Sequence, residues 1–191
     1  MHMSSGRWID IKNPKPDDID LQDIAQCLSG INRWGGCCKP RITDEDHCLF
    51  CERLIVHADA RATPRLRLLA LLHDAHEAYL GDMRRPVAIV LGIDMLMGVL
   101  KERIDLAIYA HLDIDPPTVK ERRAVKIFDN WALQLEAQWY MPKEVFTGPH
   151  AVQRTYTAED PPFRITQYAV LDPPGITWLR AVRNLREEMM E

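Results

Sequence analysis

The sequence predicts an all-α fold, and three observations predict it. Apolar residues recur at i, i+3, i+4 and i+7 along most of the 191 residues. Thr, Asp, Gly and Pro stand where those stretches need starts and stops. Alternation of the strand kind is almost absent. With 47% hydrophobic residues the chain can bury a proper core, and its length fits one domain. That domain divides into an N-terminal arm at 1–16, a helical core at 17–140, and an irregular segment with a closing helix at 141–191.

Each element has its own justification. Residues 1–16 are polar, carry Pro14 and Pro16, and read as an extended arm with a turn. Asp17 or Asp18 caps a helix to about Ser29, with Leu21, Ile24, Ala25 and Leu28 on one face and Gly30 at its end. The paired glycines after Ile31-Asn32-Arg33-Trp34 mark a loop. There an Arg beside a Trp offers a bidentate anion donor next to a flat apolar wall. Thr43 with Asp46 three residues on starts a second helix. His47, Cys51, Leu54 and Ala58 share one of its faces, which puts His47 on the buried side of the first turn, whereas His57 falls off that face and is expected to be exposed.

Thr63-Pro64 opens a central apolar helix that runs to Gly81, and Asp82 to Pro86 follow as a turn. Residues 87–112 are helical with an interruption near Gly92, and Val99, Arg103, Leu106 and Ala110 keep the helical rhythm. Asp115-Pro116-Pro117 breaks the chain. One helix from about Pro117 to Tyr140 has Val125, Phe128, Ala132, Leu135 and Trp139 as its core stripe, with Asp129 at the margin. Residues 141–175 hold six of the thirteen prolines and read as irregular chain, with a short helix or strand near 165–171. From Ile176 to Met189 an amphipathic helix closes the chain on Ile176, Leu179, Val182 and Leu185.

Composition excludes several classes. A formal charge of −4 gives no electrostatic footprint for nucleic acid. No apolar run is long enough to span a membrane, and the polar N-terminus lacks the apolar core of a signal peptide, so a cytoplasmic protein is expected. Five cysteines, an odd number, fit reduced thiols. A structural zinc site from Cys37, Cys38, Cys48 and Cys51 is the minor alternative.

The chemistry collects on three helices. His73 and Asp74 are adjacent, Glu77 is one helical turn past His73, and His47 and Asp129 come from elements on either side. Buried charges must be paired or must hold a metal. Two imidazoles with two carboxylates suit a divalent transition ion, with water in the open positions. Such an ion makes hydroxide available at neutral pH and polarises a phosphoryl oxygen. Glu77 is placed to act as general acid or base, Asp82 to assist it, and Arg33 to hold phosphate oxygens. These parts describe a metal-dependent phosphoester hydrolase.

Ile31-Asn32-Arg33-Trp34, Asp46-His47, His73-Asp74-Ala75-His76-Glu77, Gly81-Asp82 with Pro86 four on, and Val125-Lys126-Ile127-Phe128-Asp129 follow in that order. This ordered set resembles the HD-domain metal-dependent phosphohydrolases. It is most similar to the branch of 5'-deoxynucleotidases and small phage-type deoxynucleotide (dATP) triphosphohydrolases. The resemblance covers about residues 30 to 135. It implies a helical HD-domain bundle, with His47, His73, Asp74 and Asp129 as ligands of Zn, Mn, Co or Fe, and Mg as a possible second ion. It also implies Glu77 as catalytic acid or base, Asp82 as a carboxylate near the sugar or leaving oxygen, and Arg33 and Trp34 on the nucleotide. In that branch the Trp packs where a 2'-hydroxyl would sit. Lys39 or Arg41, and Arg84 or Arg85, are candidates for further phosphates. The substrate expected is a deoxynucleoside 5'-mono- or triphosphate, cleaved at the α-phosphorus, and the assembly expected is a homo-oligomer. Two features depart from the branch: Asp46 stands where it usually has Glu, and Gly35-Gly-Cys-Cys-Lys-Pro40 is unusual. The alternative is a non-catalytic, regulatory nucleotide-binding HD module, against which the intact Glu77 and the four ligands speak.

Overall fold

The protein, seen in a computed structural model, is described at residues 1–147, 151–156, 161–165 and 173–190, with the backbone alone at Arg85. Its helices are α1 (Leu21–Gly30), α2 (Asp44–Ala58), α3 (Pro64–Leu72), α4 (Glu77–Leu80), α5 (Arg85–Val90), α6 (Asp94–His111), α7 (Val119–Tyr140) and α8 (Ile176–Glu188). Two isolated bridges, His2 with Trp8 and Asn32 with Thr43, are the β-type pairing among the described residues. The all-α class follows. No described helix is long and apolar enough to cross a membrane.

Caps fix most helix starts. Thr43 accepts from the Asp46 amide while the Asp46 carboxylate takes the Thr43 amide. The same box joins Thr118 and Glu121, so α7 starts at Val119 rather than Pro117. The first helix also starts later than its sequence suggests. Asp17 and Asp18 belong to a separate 3-10 turn, and Asp20 caps α1 by accepting from the Gln22 amide at 2.8 Å. Each such cap stabilises its helix by about 1 kcal/mol.

Two apolar clusters form the interior, and α3 lies between them. Leu68, Leu69, Leu71 and Leu72 join α1, α6 and α8 in the larger one. Ala70 turns the other way, toward Phe50, Leu54, Trp131 and Leu135 of α2 and α7. The arm is part of the larger cluster, because Met3 and Ile9 are buried there and Asp23 fastens Ser4 and Ser5. His57 is exposed.

The central helix is not continuous. It stops at Leu72, turns through residues 73–76 with tight bonds such as Ala75 N to Leu72 O (3.0 Å), and resumes at Glu77. His73 helps to end it by bonding the Ala70 carbonyl through Nδ1 at 2.8 Å. The rhythm of Val99, Leu106 and Ala110 also proves to be the outer stripe of α6. Val99 and Leu106 are 46% and 43% exposed, and the buried face is Ile104, Ala107 and Ile108. Periodicity gives the helix but not which of two apolar faces meets the core.

The C-terminal part is tied down by polar contacts. Glu45 accepts from the amides of Gly175 (3.0 Å) and Trp178 (3.2 Å) at the start of α8. Trp178 is fully buried and bonds the Leu71 carbonyl at 2.8 Å. Gln134 and Tyr156 exchange two hydrogen bonds that hold the irregular segment on α7. The element expected near 165–171 lies, beyond Ile165, outside the described residues.

Candidate metal centre

Where α2, the turn after α3 and α7 meet, four side chains converge between the two apolar clusters. His47 Nε2 lies 3.2 Å from Asp129 Oδ1 and 3.7 Å from Asp74 Oδ2. His73 Nε2 lies 3.1 Å from Asp74 Oδ2 and 3.8 Å from Asp129 Oδ1. The two rings are 5.2 Å apart. His47 sits one turn past the Thr43 cap, which aims it inward, and the tight turn at 73–76 presents His73 and Asp74 together.

The ring orientations fit a cation. His47 Nδ1 meets Glu136 Oε1 at 2.5 Å, and His73 Nδ1 meets the Ala70 carbonyl. Both Nδ1 atoms therefore donate to fixed acceptors, and both Nε2 atoms face the carboxylates. Acceptors of this kind, bonded to the ring nitrogen turned away from the ion, orient metal-binding imidazoles. His73 Nε2 is buried and faces the carboxylates of Asp74 and Asp129 at 3.1 and 3.8 Å. Burial alone would raise the Asp74 and Asp129 carboxyls; the two imidazoles hold both well below the usual carboxylate range. The carboxylates in turn raise His47 and His73 against the opposing effect of burial. Proton and divalent ion compete for the same lone pairs, so binding releases protons.

Glu77 belongs to a neighbouring group rather than to this one. Ligand atoms of Asp44, Glu77 and Asp82 lie within 4.8 Å of one another, as do those of Asp74, His76 and Glu77. Burial first, then Asp74 and Asp44, push the Glu77 carboxyl up to about 10, and burial lifts Asp44 to about 6. Lys101 Nζ lies 4.0 Å from Glu77 Oε1.

Arg33 reaches both groups, at 3.7 Å from Asp44, 3.8 Å from Asp74 and 3.4 Å from Glu136. Trp34 donates its indole N–H to Glu136 at 3.1 Å and has left-handed backbone, φ 58°. A bulky residue rarely sits there. Arg84 is exposed, and its guanidinium packs over Gly35, within 3.2 Å of where a Cβ would be. Lys39 is not brought in. It is exposed and gives its amide to the Tyr140 carbonyl, about 16 Å along α7 from Asp129.

Several groups at the site were not picked out from the sequence. Glu136 is fully buried and binds His47, Arg33 and Trp34; its signal was a carboxylate seven residues after Asp129, on the same face of α7. Asp44 is fully buried, although at the start of α2 it reads as a helix-dipole charge. A cleft of about 230 Å³ opens on His73, Asp74 and Asp129, and its wall includes Asp105, Tyr109, Arg122 and Lys126. Lys126 pairs with Asp129 at 2.6 Å, and buried His76 holds Asp105 at 3.0 Å through Nδ1. Cys48 and Cys51 flank the histidines, and burial keeps the Cys48 thiol protonated, up to about 11. Among the described residues no ligand group unites them with Cys37 and Cys38, so the four-cysteine zinc site has no support.

No protein-family model matches the chain. Over 145 residues it is 37% identical to the uncharacterized protein RCAP_rcc00048 of Rhodobacter capsulatus, covering 71% of this chain and 70% of that protein. Over 112 residues it is 30% identical to the uncharacterized protein YfdR of Escherichia coli, covering 59% and 57% of the two.

Proposed function

We propose that this chain, which belongs to one family with the uncharacterized protein RCAP_rcc00048 of Rhodobacter capsulatus, is a metal-dependent hydrolase of deoxynucleoside 5'-phosphates. One observation carries the reading: His47, His73, Asp74 and Asp129 converge from three elements, with their carboxylates and Nε2 atoms turned to one point beside a cleft. These four would hold a divalent ion, Zn, Mn, Co or Fe. When bound, that ion supplies electrophilic polarisation of a phosphoryl oxygen and acidifies water.

The protein's own groups supply the rest. Glu77, whose carboxyl is pushed up to about 10 by burial and then by Asp74 and Asp44 in the metal-free protein, would give a proton to the leaving 5'-oxygen. Arg33 is held rigidly by three carboxylates and presents its guanidinium toward Asp74, where a phosphate would bind. Trp34, whose indole bonds Glu136 beside Arg33, would limit room at the sugar. Arg84, over Gly35, serves an extended phosphate chain less directly than Lys126 and Arg122 of the cleft. Bond cleavage at the α-phosphorus gives deoxynucleoside with phosphate or with triphosphate.

The test is a panel of deoxy- and ribonucleoside mono- and triphosphates with Mn, Co, Zn or Mg, resolving nucleoside, phosphate and triphosphate. Release of nucleoside from deoxynucleotides supports the reading. Nucleotide binding without turnover in any metal would replace it with a regulatory module. Trp34→Ala is expected to raise turnover of ribonucleotides relative to deoxyribonucleotides; an unchanged ratio removes its role at the sugar.

A further inference from the structure

One cation of the cleft is uncommitted. Arg122 lines the same cavity of about 230 Å³ as His73, Asp74 and Asp129. It is exposed and makes no hydrogen bond or ion pair among the described residues. The neighbouring charges are engaged. Lys126 pairs with Asp129 at 2.6 Å, and the Asp105 carboxylate is held by His76 Nδ1 at 3.0 Å. Arg33, outside the cleft lining, already meets three carboxylates. Arg122, Lys126 and Asp129 stand at i, i+4 and i+7, so they form one row on α7. At 1.5 Å per residue the row runs from Asp129 about 4.5 Å to Lys126 and about 10 Å to Arg122 along the helix axis. A single phosphate beside Asp129 occupies the near end of that row. Two further phosphates in line extend toward its far end. The cleft is too small for a whole nucleotide, since ligand pockets start at about 300 Å³. It fits part of one, and its two cations favour the phosphates over the base.

We infer that Arg122 is the specificity-determining residue of this site and commits it to deoxynucleoside triphosphates by holding the outer phosphates. The inference rests on the hydrolase reading and narrows it. The α-phosphorus carries the 5'-oxygen and the oxygen that leads to the outer phosphates as separate substituents. The sugar can therefore lie toward Arg33, Trp34 and Glu77, which are outside the cleft lining, while the phosphate chain lies within it. The oxygen of water bonds the α-phosphorus, and the bond from that phosphorus to the 5'-oxygen breaks. The 5'-oxygen leaves with a proton as deoxynucleoside, and the other product is inorganic triphosphate. A guanidinium suits the outer position, because its planar fork donates to two phosphate oxygens at once and stays charged at every working pH.

Calorimetric titration of inorganic triphosphate and of orthophosphate into the full chain, in a fixed excess of Mn, tests this without turnover. The wild type is expected to bind triphosphate at least about tenfold more tightly than orthophosphate. Arg122→Ala, at an exposed and unpaired position, should keep the helical circular dichroism and bring the two affinities within about twofold of each other. Arg122→Lys should restore part of the difference. Arg123→Ala removes the same charge from a neighbour that does not line the cleft, and should behave as the wild type. In turnover, Arg122→Ala should raise KM for deoxynucleoside triphosphates by about tenfold or more and leave that for monophosphates unchanged. Equal affinities in the wild type, equal losses on both anions, or the same loss in Arg123→Ala overturn the inference. So does wild-type turnover of monophosphates in preference to triphosphates, which leaves the hydrolase reading standing. Arg122-dependent triphosphate binding with no turnover of any nucleotide does the reverse: it keeps the anion site and removes the hydrolase.

Discussion

Glu136 has no exposed surface, yet it accepts from His47, Arg33 and Trp34. Burial alone would raise its carboxyl, but Arg33 and then His47 keep it ionised. That charge fixes the His47 ring with Nε2 toward Asp74 and Asp129. Replacing it with an amide keeps the shape and removes the charge. Glu136→Gln is therefore expected to weaken divalent metal binding by about 10- to 100-fold, measured by competition with a chromophoric chelator. An affinity equal to wild type would show that the acceptor does not orient the ligand. This residue also marks how far the sequence could be read. His47, His73, Asp74 and Asp129 stood out because imidazoles and carboxylates at helical spacing are unusual on apolar faces. Glu136 did not, because a glutamate between Leu135 and Ala137 looks like any solvated position until the fold shows which side of α7 faces α2. Asp44 was hidden for a similar reason, since an acidic residue in a first turn has an ordinary role at the helix dipole.

At the scale of elements, stops and some caps were legible and orientations were not. Thr43 shows its box in the sequence, and Gly30 and Gly81 end helices where expected, whereas the Thr118 box was passed over for Pro117 and the Asp20 cap for Asp17 and Asp18. The outward stripe of α6 could not be told from an inward one, because α6 is apolar on both sides. The break at His73 was hidden by the apolar run before it. One contact joins two elements in a way that pH can probe. Arg65 of α3 meets Glu121 in the first turn of α7 at 2.6 Å, and this bond, with the Thr118 cap, lowers the Glu121 carboxyl to about 2. A carboxyl lowered on folding adds stability above its unfolded value, near 4.5, and loses that stability as pH falls toward 2. Glu121→Gln should cost about 1 kcal/mol at pH 7, and the difference from wild type should disappear near pH 2. Urea unfolding at several pH values measures it; a pH-independent difference would mean that the box acts through geometry alone. A second element contact is steric. Gly175 has φ 83°, and a Cβ there would lie 2.7 Å from the Ala25 backbone. Gly175→Ala is expected to lower stability by about 2 kcal/mol or more by forcing α8 off α1, read as a fall in the urea midpoint with an unchanged slope.

The whole molecule is two apolar clusters joined along α3, with the polar centre in the seam between them. The ligand atoms come from α2, the turn after α3, and α7, so an ion bound there would tie together elements from both clusters. An ion that binds the folded chain and not the unfolded one stabilises it by about 2.7 kcal/mol at a hundred times its dissociation constant. For a chain of this size each kcal/mol moves the melting temperature by roughly 2–4 °C. Adding Mn, Co or Zn to metal-stripped protein should therefore raise the melting temperature by about 5–10 °C, and a chelator should reverse the rise. Asp129→Ala should abolish the rise while leaving the stripped protein folded, because its side chain lies at the cleft and outside both apolar clusters. This readout needs no substrate, so it separates the metal assignment from the choice of reaction. A wild-type shift together with no turnover of any nucleotide keeps the centre and discards the hydrolase. Neither shift nor turnover discards both, and the four side chains then stand as a buried ion-pair cluster whose partial charges cancel across the seam.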